Sequence, residues 1–553
     1  MTLKQLGLLY FTVRHLKPVQ WYWRLYLRLQ RLWRFNTALP ATVASKPLPL
    51  LPPAPKPVSW RENTFVFLNQ PGSAAAPIDW NNPKQAKLWL YNLHYFDYLQ
   101  QPGLTRDQAL LLMHDWITQN PPATGNGWEP YPLSLRIVNW IKFLSAHDDA
   151  EDLTTLKNSL YLQCRYLSGH LEYHLLGNHL FKNGVALLFG GAYFTGAEAT
   201  AWLKTGRTLL EAEIQEQVLP DGGHFERSPM YHALILEDIL DCLNLHQAQA
   251  CFPAASAAQI AAQACQMLVF AQDTQHPDGE IAFFNDSALG IAPSPGALRA
   301  YATRLALPPT ALASNPETTL RLIEKPDFGL YVLQNTLGQL IFDAGPIGPD
   351  YLPGHAHCDT LSYELSLWGQ RCIVNRGTYQ YAGPERNLFR ATAAHNTVKL
   401  DGAEQHEIWS TFRVARRGYP DDIKIERQPD KLTVSAAHTG YRRLPGHLLH
   451  RRTIVCSMQS WHIEDRIEGH GRHSAESFIH LHPAVRIVDN TPAAVNCVID
   501  NRRFVIHVSA GVTLTLVDGV FSPEFGLKQA NHTLILRAED TCPFMIAYDI
   551  TPV

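Results

Sequence analysis

The hydrophobic positions change period once along the chain. From Trp80 to about residue 313 they recur at helical spacing, in segments separated by Gly, Pro and Asn turns. Helices are predicted over 133–145, 153–169, 197–218, 229–247 and 257–271. After Pro326 the pattern shifts toward alternation, and strands are predicted over 328–333, 339–342, 361–367, 372–374, 397–400, 504–508, 512–517 and 533–536. The expected plan is multidomain α+β, with an all-α domain followed by an antiparallel β-sandwich and a cleft between them. The expected divisions are 1–60 for a basic segment and proline-rich linker, 61–325 for the helical domain and 326–553 for the β domain.

At 553 residues the chain is too long for one ordinary core, in keeping with two large domains. A net charge of -3 and a pI near 6.8 argue against nucleic acid as a partner, because phosphate binding needs a basic surface. The nine cysteines are odd in number and contain no CxxC pair, so neither a disulfide framework nor a zinc ribbon is indicated. No run of 18 apolar residues occurs. With no cleavage site before the Arg-rich segment, the expected location is cytoplasmic and membrane-peripheral, with the periplasm as the alternative.

The charge balance is uneven. No acidic residue occurs from Met1 to Arg61, while Lys4, Arg14, Lys17, Arg24, Arg28, Arg31 and Arg34 recur. A helix over 21–35 would carry Arg24, Arg28 and Arg31 on one face and Tyr22, Leu25, Leu29 and Leu32 on another. Such a basic helix can make peripheral contact with an anionic membrane, or its apolar face can dock on the next domain, the reading favoured here. Residues 40–57 are proline-rich and predict an extended connector.

Four polar clusters interrupt the helical pattern. Residues 90–98 and the stretch around Trp128, Arg136 and Asn139 mix aromatics with amides and an arginine, a composition suited either to a sugar-binding groove or to core packing. Asn178 and His179 precede a predicted helix. In 221–232, Ser228 is a good N-cap and Pro229 fits the first helical position, which places Tyr231 in the first turn. There the helix dipole and Arg227 would favour a tyrosinate. In the β domain, His355 and His357 sit on a turn ahead of an alternating strand, at the mouth of a sheet.

The motifs "GNHLFKNG", "DGGHFERSPMYH", "GHAHCDTLSYEL" and "RATAAHNTVKLDG" together resemble the heparinase II/III-like polysaccharide lyases, a superfamily that includes oligoalginate lyases. "LYNLHYFDYL" and "GWEPYPLSLRIVNW" resemble a branch found among bacterial surface-polysaccharide genes. The resemblance implies an incomplete α/α toroid joined to antiparallel sheets, and β-elimination of a uronate-containing, acidic polysaccharide. It implies that Asn178 and His179 hold the neutralising and base positions, that Tyr231 is acid, base or both, and that His355 completes the site. Trp128, Arg136 and Asn139 would bind substrate, as would Arg390 and Arg413. No cofactor is required. His357 and His395 match positions that hold a structural zinc in some relatives, but the third position is Asn375, and a neutral amide is a poorer ligand than a carboxylate.

Two other readings compete. A glycoside hydrolase would use paired carboxylates, with Glu129, Glu226 and Asp286 as candidates. A non-catalytic binding factor in surface-polysaccharide assembly would keep the cleft without turnover.

Overall fold

The structure, a computed structural model, describes residues 2–30, 34–147, 153–308 and 320–553. Arg31 and Leu32 of the expected basic helix lie outside the described residues. Among those described, eleven helices precede residue 305: α1 (Leu3–Val13), α2 (Pro18–Gln30), α3 (Lys87–Tyr95), α4 (Arg106–Gln119), α5 (Pro130–Ala146), α6 (Thr154–Ser168), α7 (Gly177–Tyr193), α8 (Ala197–Gln217), α9 (Pro229–Ala248), α10 (Ala254–Thr274) and α11 (Pro295–Arg304). A small sheet, β1 (Trp60–Arg61), β2 (Thr64–Phe67) and β3 (Gln70–Ser73), precedes α3.

Helix α7 runs through the centre of the helical part, and every one of its residues except His179 is buried. It lies against α8 with almost no side chain between. A Cβ on Gly191 would stand 2.3 Å from Leu203 N, and one on Gly206 2.5 Å from Leu188 N, so these two positions require glycine for the backbones to meet. Around this pair, Trp116, Trp140, Leu133, Phe189 and Leu210 fill one continuous core. Helix α10 is long and apolar enough to cross a membrane, but it packs against α9 and α11 and buries Ile260, Ala264, Met267 and Phe270.

The remainder is antiparallel. A five-stranded sheet runs in chain order through β4 (Arg321–Lys325), β5 (Leu330–Gln334), β6 (Gly338–Asp343), β7 (Tyr363–Leu367) and β8 (Gln370–Ile373). Strand β4 therefore begins ahead of the expected start at residue 326. An eight-stranded sheet extends from Pro420–Arg427 to Arg486–Thr491, and a four-stranded sheet joins Val398–Leu400 to Thr513–Phe521. Leu340 and Leu365 of the first sheet, Val434 and Ile463 of the second and Ile479 and Leu534 of the third share one core, forming a sandwich.

The proline-rich connector is extended as expected, and it is clamped to the helical part. Leu51 exchanges backbone bonds of 2.9 and 2.8 Å with the Asn244 amide, Arg304 donates to the carbonyls of Pro52 and Pro53, and Lys56 pairs with Glu237 at 2.7 Å.

Candidate active site

The site forms where the N-termini of α7 and α9 meet the loop before β7. Leu176 and Gly177 turn into α7 with φ of 69° and 56°. A Cβ on Gly177 would stand 2.5 Å from Glu226 Oε1, so glycine lets that carboxylate close on the helix start, where the orphan N–H groups and the dipole favour an anion. Glu226 accepts from Asn178 N at 2.9 Å and from Asn178 Nδ2 at 3.0 Å through both oxygens. The amide is thereby fixed 3.5 Å from His355 Nε2.

His355 is oriented from behind. Its Nδ1 lies 3.0 Å from Asp286 Oδ2, and the same carboxylate meets His357 Nε2 at 2.9 Å and the Arg386 guanidinium in two-pronged fashion. Burial alone would push the Asp286 pKa up, but Arg386 and the two imidazoles outweigh it and hold the group well below the usual carboxylate range. An ionised Asp286 accepts, so His355 donates through Nδ1, and its Nε2 faces Asn178 Nδ2 and Glu226 Oε2, each at 3.5 Å. Burial brings His357 down to about 4, leaving it neutral.

Tyr231 lies in the first turn of α9, below Ser228, whose hydroxyl accepts from Tyr231 N at 3.2 Å. The Tyr231 ring stacks on His355 at 3.8 Å, and its hydroxyl meets that of Tyr381 at 3.0 Å. The expectation of a tyrosinate is overturned. Burial, followed by the neighbouring phenols of Tyr381 and Tyr131, raises Tyr231 well above its ordinary value. Arg227 cannot help, because its guanidinium turns away to the Phe328 carbonyl and ring. Tyr231 is thus a phenol, a proton donor at rest.

His179 is 31% exposed in its side chain and sits against Tyr131, with ring centroids 4.5 Å apart. Its Nδ1 lies 3.0 Å from Glu172, which is itself held by the Asn183 amide at 3.1 Å. Burial opposes charge on this imidazole, yet Glu172, with Glu226 farther off, raises its pKa overall. His179 therefore favours the cationic form.

Several expected substrate contacts are core instead. Trp128 is buried between Trp116 and Tyr166, with its Nε1 donating to Asn120 O. Arg136 is fully buried over the Trp116 ring and gives its donors to Gln163 Oε1, His94 O and Gly127 O. Asn139 is consumed by Tyr95 O and Asp97. Arg390 is also buried and donates to the carbonyls of Ala356, Ser410 and Thr411, bracing the His355 loop. Arg413 is exposed over Trp409 and lies beside Arg24. Aromatic and amide-rich composition alone does not separate a groove from a core, since both need the same side chains. Sequence reading also passed over Tyr381 and Glu172, and weighed Asp286 only as a hydrolytic acid. Their loops carry no periodic cue, and only tertiary packing brings them to the site.

The expected metal residues do not form a zinc donor set. His357 Nδ1 and both nitrogens of His395 are buried without a partner, with ring centroids 5.2 Å apart. Asn375, however, spends its side chain on Ser362 Oγ and Asn396 N. Among the described residues no group of three His, Cys, Asp or Glu is placed to hold a metal ion, and two imidazoles plus an engaged neutral amide fall short of the usual four ligands.

The site thus lies where the helical part abuts the antiparallel sheets, with Asn, His and Tyr side chains converging at the junction. The crystal structure of a heparinase III superimposes with a TM-score of 0.70 at 19% identity, covering 86% of this chain and 79% of that one. Residues 75–302 match the family model described as heparinase II/III N-terminus, and residues 317–548 match the one described as heparinase II/III-like, C-terminal. The chain belongs to the heparinase II/III-like family. Heparin-sulfate lyase of Bacteroides stercoris is 29% identical over 266 residues, 44% of this chain and 38% of that protein. Heparin-sulfate lyase of Pedobacter heparinus is 26% identical over 321 residues, 52% of this chain and 47% of that protein. The matched regions thus span less than half of either relative.

Proposed function

We propose that the protein is a polysaccharide lyase that cleaves an acidic, uronate-containing polysaccharide by β-elimination. The observation that carries this reading is the convergence of Asn178, Tyr231 and His355, with His355 Nε2 3.5 Å from Asn178 Nδ2 and the Tyr231 ring packed against the imidazole at 3.8 Å. The C5 proton of a uronate becomes removable only when the adjacent carboxylate is neutralised. The Asn178 amide and cationic His179 supply that neutralisation. His355 Nε2 takes the proton, the C4–O bond breaks as the C4–C5 double bond forms, and Tyr231 gives its phenolic proton to the departing oxygen. No water is consumed.

The hydrolase reading loses its acids. Asp286 is held ionised by Arg386 and two histidines, Glu226 is bound to Asn178, and Glu129 is paired with Lys87 and Tyr91. Each carboxylate is committed to partners within the fold, so none is left as the general acid that hydrolysis requires.

The test is incubation with a panel of uronate polymers, sulfated heparan-type chains and unsulfated ones together, following near-ultraviolet absorbance of the 4,5-unsaturated product. A rise on one polymer that Tyr231→Phe and His179→Ala both abolish is expected. New reducing ends without absorbance would establish hydrolysis, and tight binding without cleavage would establish a non-catalytic role.

A further inference from the structure

The N-terminal helices present an outer face that the rest of the chain does not cover. On α2, the favoured expectation of an apolar face docked on the next domain is overturned. The inward side is made by Val19, by buried Gln20, which donates to the carbonyls of Leu175 and Tyr351, and by Trp23, which stacks on Tyr173. Tyr22 and Leu25 are 62% and 61% exposed, and Trp21 and Leu29 are exposed with them. At 3.6 residues per turn these four fall in one arc, and Arg28 and Arg24 continue it along one edge. This is a continuous strip with aromatics and leucines beside arginines, under half of the helix circumference. Helix α1 adds Leu3, Leu6 and Tyr10, all exposed, with Lys4 and Arg14 also at the surface.

The electrostatics of the strip are one-sided. Among the described residues no carboxylate lies within ion-pair distance of Arg24, Arg28 or Arg413, and burial, followed by the charge of Arg413, lowers the Arg24 pKa. Two acids close to the N-terminal helices are already engaged, Glu216 by Lys17 and Asp350 by His15 and Arg417. Exposed guanidinium groups without a paired carboxylate, next to uncovered tryptophan, tyrosine and leucine, are complementary to a surface that offers negative charge above an apolar layer. We infer that α2, with α1 preceding it in the chain, seats the protein on the surface of a bilayer containing anionic phospholipid. Arg24, Arg28 and Arg413 would meet the headgroups while Trp21, Tyr22, Leu25 and Leu29 enter the interface. The charge pattern selects this occupant over a second copy of the chain, whose identical cationic strip would repel.

The experiment is co-sedimentation of the full chain with vesicles of phosphatidylcholine alone or with phosphatidylglycerol added, at low and high salt. Binding to the anionic vesicles only, weakened by salt, is expected. Arg24→Gln with Arg28→Gln should lower the partition coefficient roughly 25-fold, about fivefold per charge, and Leu25→Ser with Leu29→Ser should reduce it at every salt concentration. Circular dichroism melting of each variant controls for folding, since all four positions are exposed. Equal binding to neutral vesicles, no binding to anionic ones at low salt, or binding unchanged in the arginine variant would overturn the inference. So would a dimer in light scattering that the leucine variant dissolves.

Discussion

Two buried arginines show how alike a core and a site look in sequence and how differently they are built. Arg136 lies over Trp116 and gives its donors to two backbone carbonyls and Gln163, a closed arrangement in which each partner stabilises only the arginine. Arg386 is as deeply buried, but its partner Asp286 also orients His355 and His357. One of those imidazoles opens on the cleft. The difference lies in the acceptor. A carbonyl ends a network, whereas a carboxylate with several lone pairs passes orientation onward to a group that can react.

The sharpest way to test this contrast starts at the reacting groups. Tyr231→Phe keeps the ring stacked on His355 and removes the proton donor, so turnover should fall on the order of 10³-fold with melting little changed. Asp286→Asn should come next. It releases the His355 Nδ1 bond and leaves Arg386 uncompensated, so turnover should drop about 10²-fold from misorientation, and unfolding free energy should fall by about 3–5 kcal/mol. Denaturant titration alongside initial rates separates the two losses. Arg136→Met should show the opposite split: stability lower by about 2–4 kcal/mol from orphaned carbonyls, and kcat/KM per folded molecule within about twofold. If Arg136→Met raised KM strongly without loss of stability, the closed network would have to be redrawn as a binding site.

The smallest effect concerns pH. Because the folded pKa of His179 is raised, its pairing with Glu172 stabilises the fold below the ordinary imidazole pKa, and that contribution disappears as pH rises through the raised value. The same cation neutralises substrate in the proposed reaction. Glu172→Gln should therefore move the alkaline limb of kcat/KM to lower pH, with little change on the acid side. An unmoved limb would remove His179 from the neutralising role.

The helices were readable because their buried stripes are apolar, and the predicted segments at 133–145 and 197–218 fall within α5 and α8 apart from the last residue of the second. None of the strands between 420 and 499 was read. On Leu449–Ser457, Trp461–Glu468 and Arg472–His480 the inward face is interrupted by a polar cluster: Arg452 and His450 meet Asp465 with Ser477 beside it, all fully buried, so the apolar alternation that marks a strand is broken. At the site, Asn178, His179, Tyr231 and His355 were legible because each sits in a local motif at a helix start or turn. Asp286 and Tyr381 act through contacts with residues 69 and 150 positions away in the chain, which no local pattern encodes.

The connector over residues 40–57 sets a mechanical relation. Its attachments to Asn244, Arg304 and Glu237, with α2 held to Leu175 and Tyr351 at the start of the two site loops, tie the outer strip to the same body as the reacting groups. The arm behaves as a bracket and not as a tether. Whatever surface α2 rests on, the reacting groups stand at one height and one angle above it. A polymer would then be engaged at a set distance from that surface, and shortening the arm would alter the geometry of access without touching any residue that reacts.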